Sequence, residues 1–376
     1  MSRDALQRHA GNTPYRLLDA WRGVAALWVV MLHIRLDTTP TFLRFWSAGG
    51  HLGVPMFFVI SGYCIASAAM RAADRPAPTI SFLKARIRRI YPPYFFASLL
   101  AAALSLLLTQ LIHHHIVQSS QIAELNLPSQ GWRFYVAALT ITQVPLHTPL
   151  IIRVLWSLCY EVAFYALAAL GLFLALRAKR PRVVLDGLAV LTMVTLLWLN
   201  FAGNACPFPW NLWPQFGLGV LVYQILAQPE RKIPKFSFLL CVALLGAYAL
   251  RHGKDSFADG LSSGFQALFT LGFAVILLML FRWDDTLAKL KLVRAFSWVG
   301  LFSYSLYLIH LLALGIVTQG LNRVHFIESH ALLLYFVKLV LCIVVGRLFF
   351  QFCEQPFLDT RQKQLLQRNS GTDEVN

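Results

Sequence analysis

Three ionisable side chains stand in an otherwise apolar stretch, RLLDAWRGVAALWVVMLHI at residues 16–34: Asp19, Arg22 and His33. Arg22 and His33 are eleven residues apart. At about 100° per residue both leave a helix on one face, and at about 1.5 Å per residue they stand roughly 16 Å apart along it. Asp19 precedes Arg22 by one turn, the spacing of an i,i+3 ion pair. Such groups are costly in lipid unless they face a protein interior or a wet cavity, so they mark a functional site by default. The plainer account is a snorkelling arginine and a histidine that hydrogen-bonds a neighbouring helix. The chemistry on offer is that of an imidazole, whose ordinary pKa lies near neutrality, able to take or give a proton.

A second set is cationic. FLKARIRRIYPPYF places Lys84, Arg86, Arg88 and Arg89 ahead of Tyr91-Pro92-Pro93-Tyr94, with Arg75 upstream. Arginine forks match phosphate geometry, and Arg86 and Arg89 lie one helical turn apart. The same residues also serve as ordinary anchoring to anionic headgroups. The Pro-Pro pair is expected as a rigid lead into the next apolar helix. Further on, IIRVLWSLCYEVAFYAL carries Trp156, Ser157, Glu161 and Tyr165. Glu161 lies about two turns in from one end of its span, and His33 about one turn in from the corresponding end of its own. A carboxylate meeting the imidazole there would fix its tautomer. FSWVGLFSYSLYLIHLLALG gathers Tyr304, Ser305, Tyr307 and His310 within two turns, a polar stripe that either glues helices or lines a site. Ser61-Gly62-Tyr63 sits mid-span as a packing notch or a ligand-lining step. Glu354, before Pro356, reads as a helix stop whose carboxylate could pair an arginine.

These groups need helices in a membrane to position them. Of 376 residues, 57% are hydrophobic and 13% charged, and the mean hydropathy is +0.60. No long polar stretch could form a second, soluble domain. The polar N-terminus is not followed by a short apolar segment with a cleavage site, so no cleaved signal peptide is expected. Ten apolar spans are expected at about 19–36, 52–70, 91–112, 154–176, 183–201, 210–227, 236–250, 262–281, 296–317 and 331–351, an all-α polytopic membrane protein. The net charge of +16 does not point to nucleic acid: with both termini cytoplasmic, 23 of the 33 Lys and Arg fall in cytoplasmic segments and six in the opposite loops. That asymmetry is the positive-inside rule, with anionic lipid as the partner of the basic face. Residues 133–150 are apolar for only about 12 residues, and a span there would place RAKRPR outside. A re-entrant or interfacial segment is expected instead. The six cysteines show no CxxC or paired spacing and read as packing residues. His113, His114 and His115 diverge around a helix, so no metal site is expected.

Taken together and in order, LDAWRGVAALWVVMLH, GVPMFFVISGYCI, FLKARIRRIYPPY, LWSLCYEVAFY, FSYSLYLIH and FCEQP resemble the acyltransferase 3 family of integral membrane O-acyltransferases. The likeness covers nearly the whole chain. It implies an acyl-CoA donor, usually acetyl-CoA, reached from the cytoplasm, and a hydroxyl acceptor on a glycan, a lipid-linked saccharide or a small molecule. Carried over by motif, it implicates Arg22 and His33, the pair Arg86 and Arg89, and Glu161. Tyr63 and Cys159-Tyr160 depart mildly from the family's usual steps. Some relatives carry a fused periplasmic hydrolase-like domain after the membrane part. This chain stops about 25 residues past its last span, and a single membrane domain in an inner membrane is expected.

The chemistry assigns roles. Acyl transfer to an alcohol needs a base for the hydroxyl proton or a nucleophile to hold the acyl group. His33 is the expected base, with Glu161 orienting it. Arg22 binds donor phosphate, carbonyl or Asp19. Lys84, Arg86, Arg88 and Arg89 hold the phosphates of coenzyme A, while Asp19, Ser61, Tyr63, Trp156, Ser157, Tyr304, Tyr307 and His310 are candidates for substrate contact. A transporter or lipid flippase is the competing class, since intramembrane charges also mark solute paths; it would not release free coenzyme A. A membrane sensor would leave His33 replaceable.

Overall fold

The computed structural model describes residues 15–34, 41–114, 127, 130–181, 183–203, 206–252, 264–321 and 331–358. The two termini and His115 lie outside these residues. Every regular element among them is helical. In chain order they are α1 (Leu17–His33), α2 (Thr41–Ala48), α3 (Gly53–Ala73), α4 (Pro78–His113), α5 (Trp132–Thr140), α6 (Trp156–Arg177) and α7 (Val183–Ala202). There follow α8 (Trp213–Ala227), α9 (Lys232–His252), α10 (Gly264–Leu280), α11 (Asp284–Leu287), α12 (Lys291–Leu301), α13 (Ser303–Leu321) and α14 (Ala331–Phe349).

Seven of the described helices are long and apolar enough to cross a membrane, or eight when α12 and α13, bent by 71° at their junction, count as one span. Each of the ten expected spans coincides with a helix. The lower count arises because α1 has 17 residues and α8 has 15, below the roughly 20 that a perpendicular crossing takes. By length and composition, seven or eight of the ten expected spans pass as crossings among the described residues.

The expectation for Pro92-Pro93 requires correction. The helix does not begin there; α4 runs through both prolines and already includes the basic segment. Each proline withholds the N–H that would have bonded a carbonyl one turn back, those of Arg88 and Arg89. Apolar helices tolerate this where neighbours supply other polar groups, and the Tyr304 hydroxyl donates to the next carbonyl, Ile90 O, at 3.1 Å.

The segment at 133–150 contains only the nine-residue α5, about 13 Å of helix and too short to cross a core of roughly 30 Å. Ile141 in the left-handed region (φ 56°) ends it, and the chain returns through turns. Tyr94 pins this return by donating to Ala138 O at 2.5 Å, and Gln143 Nε2 donates to the Tyr94 oxygen at 3.1 Å.

The chain divides into two compact units. The first comprises Met1–Leu18, Val54–Arg86 and Tyr160–Arg294. Within it Asp284 caps the start of α1, its carboxylate accepting from the backbone N–H of Arg16 at 3.0 Å and of Leu17 at 2.9 Å. Those are orphan donors of a helix N-terminus, and a carboxylate there also complements the dipole. Gly62 and Gly219 bring α3 against α8: a Cβ on Gly62 would stand 2.0 Å from Phe216 O, and one on Gly219 1.9 Å from Val59 O. The small residues thus form the close approach between apolar helices read from the sequence. Asp186 and Arg231 form a two-pronged ion pair, both contacts 3.1 Å.

The second unit comprises Asp19–Gly53, Ile87–Cys159 and Ala295–Asn376. Here α1 packs on α12 through a reciprocal notch. A Cβ on Gly23 would lie 2.0 Å from Phe296 O, and one on Gly300 1.8 Å from Asp19 O. The bend after α12 is stabilised by the Ser303 hydroxyl donating to Gly300 O at 2.9 Å. It redirects the chain into α13, which packs antiparallel to α14. Gly346 lies against Leu306 and Cys342 against the carbonyl of His310. After α14 the helix loosens into a π-turn over Phe350–Glu354.

Candidate active site

The second unit brings together most of the chemistry read from the sequence. On α1, Arg22 Nη1 lies 3.2 Å from Asp19 Oδ1, the i,i+3 pair its spacing predicted. At the far end of the same helix His33 Nδ1 lies 2.8 Å from Val29 O, one turn back. On α13, His310 Nε2 stands 3.3 Å from His33 Nδ1, with ring centroids 5.0 Å apart. His310 is fully buried. The sequence marked both histidines but offered no register between helices almost 280 residues apart, so their pairing is a finding of the structure.

Near the other end of α13, Ser305 Oγ donates to Glu354 Oε2 at 2.6 Å, and Glu354 is 4% exposed. Arg89 and Arg22 lie near enough to act on this carboxylate electrostatically. Glu354 is therefore more than a helix stop: the π-turn carries it inward, and a buried carboxyl group lies near two of the expected phosphate-binding or catalytic cations. The sequence signal was present in the pairing suggested for this glutamate. Its neighbours were not.

The basic run divides by helical face. Arg86 and Arg89 are half-buried, whereas Lys84 and Arg88 are exposed. This follows from the 3.6-residue period, which places 86 and 89 on one stripe and 84 and 88 on another.

The aromatic stripe on α13 is tied to backbone. Tyr307 Oη donates to Val154 O at 3.0 Å and shares a 2.7 Å hydrogen bond with Ser157 Oγ, which is itself 3.1 Å from Val154 O. Tyr304 holds Ile90 O. These hydroxyls thus lock α13 to the start of α6 and to α4. Trp156, at the head of α6, is half-buried.

The remaining expected residues belong to the first unit. Ser61 Oγ donates to Glu161 Oε1 at 2.8 Å, and the Tyr165 hydroxyl donates to the same oxygen. Tyr63 is buried and meets Tyr15 and Tyr223 edge-on at 6.0 and 5.4 Å. The two hydroxyls satisfy one carboxylate oxygen in an otherwise apolar helix packing. The described residues contain no group of three metal-ligating side chains.

The chain matches the acyltransferase domain family over residues 15–350. It belongs to the acyltransferase 3 family. Among relatives, it is 26% identical over 365 residues to a Komagataeibacter xylinus protein named as a membrane-bound transacylase, BcsY, covering 95% of this chain and 86% of that one. A Staphylococcus aureus protein named as an O-acetyltransferase, SAR0937, is 24% identical over 377 residues, 94% of this chain and 59% of the other. The O-acetyltransferase OatA of Staphylococcus aureus is 25% identical over 181 residues, 48% of this chain and 28% of its own. The chain thus spans little more than half of SAR0937 and less than a third of OatA. No solved structure matches the chain. As an acyltransferase 3 member with seven or eight apolar spans among the described residues, the protein is a multi-pass membrane acyltransferase. The match begins at Tyr15 and takes in Arg22, His33, Arg89, Glu161 and His310.

Proposed function

We propose that this acyltransferase moves an acyl group, acetyl in the simplest case, from cytosolic acyl-CoA to a hydroxyl of a glycan or another alcohol at the inner membrane. The observation that carries the reading is the placement, in one unit, of an imidazole at one end of α1 and cationic side chains at the other. Arg22 and His33 stand about 16 Å apart on one face, a distance suited to a donor whose phosphates stay near one surface while its thioester reaches further in. The names of the relatives support acetyl transfer, and the basic loops support a donor on the cytoplasmic side.

In this reading His33 Nε2 takes the proton of the acceptor hydroxyl as the oxygen attacks the thioester carbonyl. The carbon–sulfur bond of the tetrahedral intermediate then breaks, and the leaving thiolate receives that proton from the imidazolium, giving free coenzyme A and an ester. Arg89 and Arg86 bind donor phosphate, with Lys84 and Arg88 adding positive field from their exposed face. Arg22 stands next in line for the diphosphate or the developing oxyanion. Glu161 is assigned by its family motif, and Ser61 and Tyr165 hold its carboxylate. Tyr304, Tyr307 and Ser157 act on the acceptor by fixing the frame of α13, since their hydroxyls already serve backbone carbonyls.

The test is thiol release from labelled acetyl-CoA by the purified full chain in nanodiscs, with a cell-envelope glycan extract as acceptor. Wild type is expected to release thiol and transfer label. His33→Ala is expected to bind donor and do neither. Full activity in His33→Ala would overturn the assignment, and donor-independent solute movement without thiol release would favour the transporter class.

A further inference from the structure

Three of the four ring nitrogens of the two facing histidines are constrained by what they meet. His310 Nδ1 lies 2.7 Å from Tyr307 O and 3.2 Å from Leu306 O, two carbonyls that can only accept. That nitrogen must therefore carry a proton. In the neutral ring the lone pair then falls on Nε2, the atom 3.3 Å from His33 Nδ1. His33 Nδ1 in turn meets two acceptors, this lone pair and Val29 O at 2.8 Å. It too must carry a proton, and the lone pair of neutral His33 falls on Nε2. A second proton on His310 would aim an N–H at a nitrogen that Val29 already requires to be a donor, so the arrangement suits the neutral ring.

We infer that His310 is a positioning residue for acyl transfer, acting with Val29 O to hold His33 in the tautomer whose lone pair is on Nε2. This rests on the acyl-transfer reading for its purpose, though not for its geometry. A general base works only if the nitrogen facing the hydroxyl is the unprotonated one and its ring cannot turn, and a third group commonly secures both. A neutral imidazole does so here from the opposite helix. His310 is itself fixed by full burial, by its two backbone carbonyls and by the packing of α13 on α14. When His33 Nε2 gains the hydroxyl proton, the Nδ1–H bond to His310 persists and strengthens, because the donor has become cationic. His310 neither gives nor takes a proton in this scheme. It therefore leaves the set of acceptor-binding candidates.

The experiment is 15N NMR of the full chain labelled at histidine and held in nanodiscs, with His33 assigned from the signals missing in His33→Gln. Wild type is expected to show His33 protonated on Nδ1 and bare on Nε2. His310→Leu is expected to weaken that bias, since Val29 O alone then holds the Nδ1 proton, and His310→Asn, whose amide oxygen can accept from Nδ1–H, to recover part of it. In parallel, kcat for thiol release falls about 10–100-fold in His310→Leu with the donor KM within about twofold of wild type, as expected when a group orienting a histidine is removed. A wild-type His33 protonated on Nε2 overturns the inference without any variant. So does a tautomer unchanged by His310→Leu in protein with wild-type melting. A wild type with the expected tautomer but no thiol release leaves the pairing in place and removes the acyl-transfer reading instead.

Discussion

Ser305 Oγ donates a 2.6 Å hydrogen bond to Glu354 Oε2, joining the first turn of α13 to the π-turn that ends α14. The carboxylate is 4% exposed, and Arg89 and Arg22 lie close enough to act on it. Removing the carboxyl leaves the buried Ser305 hydroxyl without its acceptor, at a cost of about 1–3 kcal/mol. Glu354→Ala is expected to lower the melting temperature markedly in detergent or nanodiscs. Ser305→Ala, which removes one donor to this buried acceptor, is expected to cost about 1–3 kcal/mol. Combining the two should cost clearly less than their sum, because the hydroxyl matters only while the carboxylate is there. Additive losses would show that the bond does not couple them.

The notch between α1 and α12 gives a second prediction. At Gly300 a Cβ would stand 1.8 Å from the carbonyl oxygen of Asp19, and that oxygen is backbone that cannot swing aside. Gly300→Ala must therefore push α1 away from α12, at about 1–3 kcal/mol for overpacking. The shift moves Asp19 and Arg22 together, so donor KM should rise along with the loss of stability. Gly187, around which a Cβ would meet nothing within 4 Å, is the control: Gly187→Ala should be neutral or slightly stabilising, since alanine is the better helix former by about 1 kcal/mol.

Much of this architecture was legible in the sequence, and the reasons are physical. Apolar length fixed the helices, since a bilayer leaves the backbone no other way to satisfy its hydrogen bonds unless it closes a barrel. Periodicity fixed what lies on one helix: the Asp19–Arg22 pair and the common face of Arg22 and His33 needed only α1. The split of the basic run into half-buried Arg86 and Arg89 and exposed Lys84 and Arg88 follows from the same period. What a single sequence does not carry is the register between helices. Nothing at Ser305 or Glu354 says that they meet, and nothing at Leu306 or Leu308 says that His310, rather than a neighbour, turns to His33. The prolines at 92 and 93 misled because a local rule, that proline opens helices, yields in apolar segments where a distant tyrosine can hold the neighbouring carbonyl.

The Tyr307 hydroxyl offers a test of framing against ligand contact. It is 9% exposed and engaged by Val154 O and Ser157. Tyr307→Phe keeps the ring and removes these bonds, so a stability loss of about 1–2 kcal/mol is expected. Acceptor KM should stay near wild type, and kcat should fall modestly as α13 loosens. A rise in acceptor KM with unchanged melting would return Tyr307 to the substrate-binding set.

The last prediction separates Arg89 from Arg88, adjacent residues of the same charge. If donor phosphates were drawn in only by general positive potential, the exposed Arg88 would matter at least as much as its neighbour, and salt would abolish both effects. The structure gives Arg89 a half-buried position near enough to Glu354 to act on it electrostatically, where its charge is less screened than at the exposed face. Arg89→Ala is therefore expected to weaken binding of coenzyme A by about 1.5–3 kcal/mol, the scale of a charge-assisted hydrogen bond, equivalent to roughly a 10–150-fold rise in Kd. Arg88→Ala should change it by less than about 1 kcal/mol and lose even that at high salt. Arg89→Lys should recover charge but not the two-pronged geometry, and fall between. Titration calorimetry with coenzyme A at two ionic strengths reads all three. Equal, salt-sensitive losses for Arg88→Ala and Arg89→Ala would mean that the basic face attracts the donor without gripping it, and the grip would then have to be sought at Arg86 or Arg22.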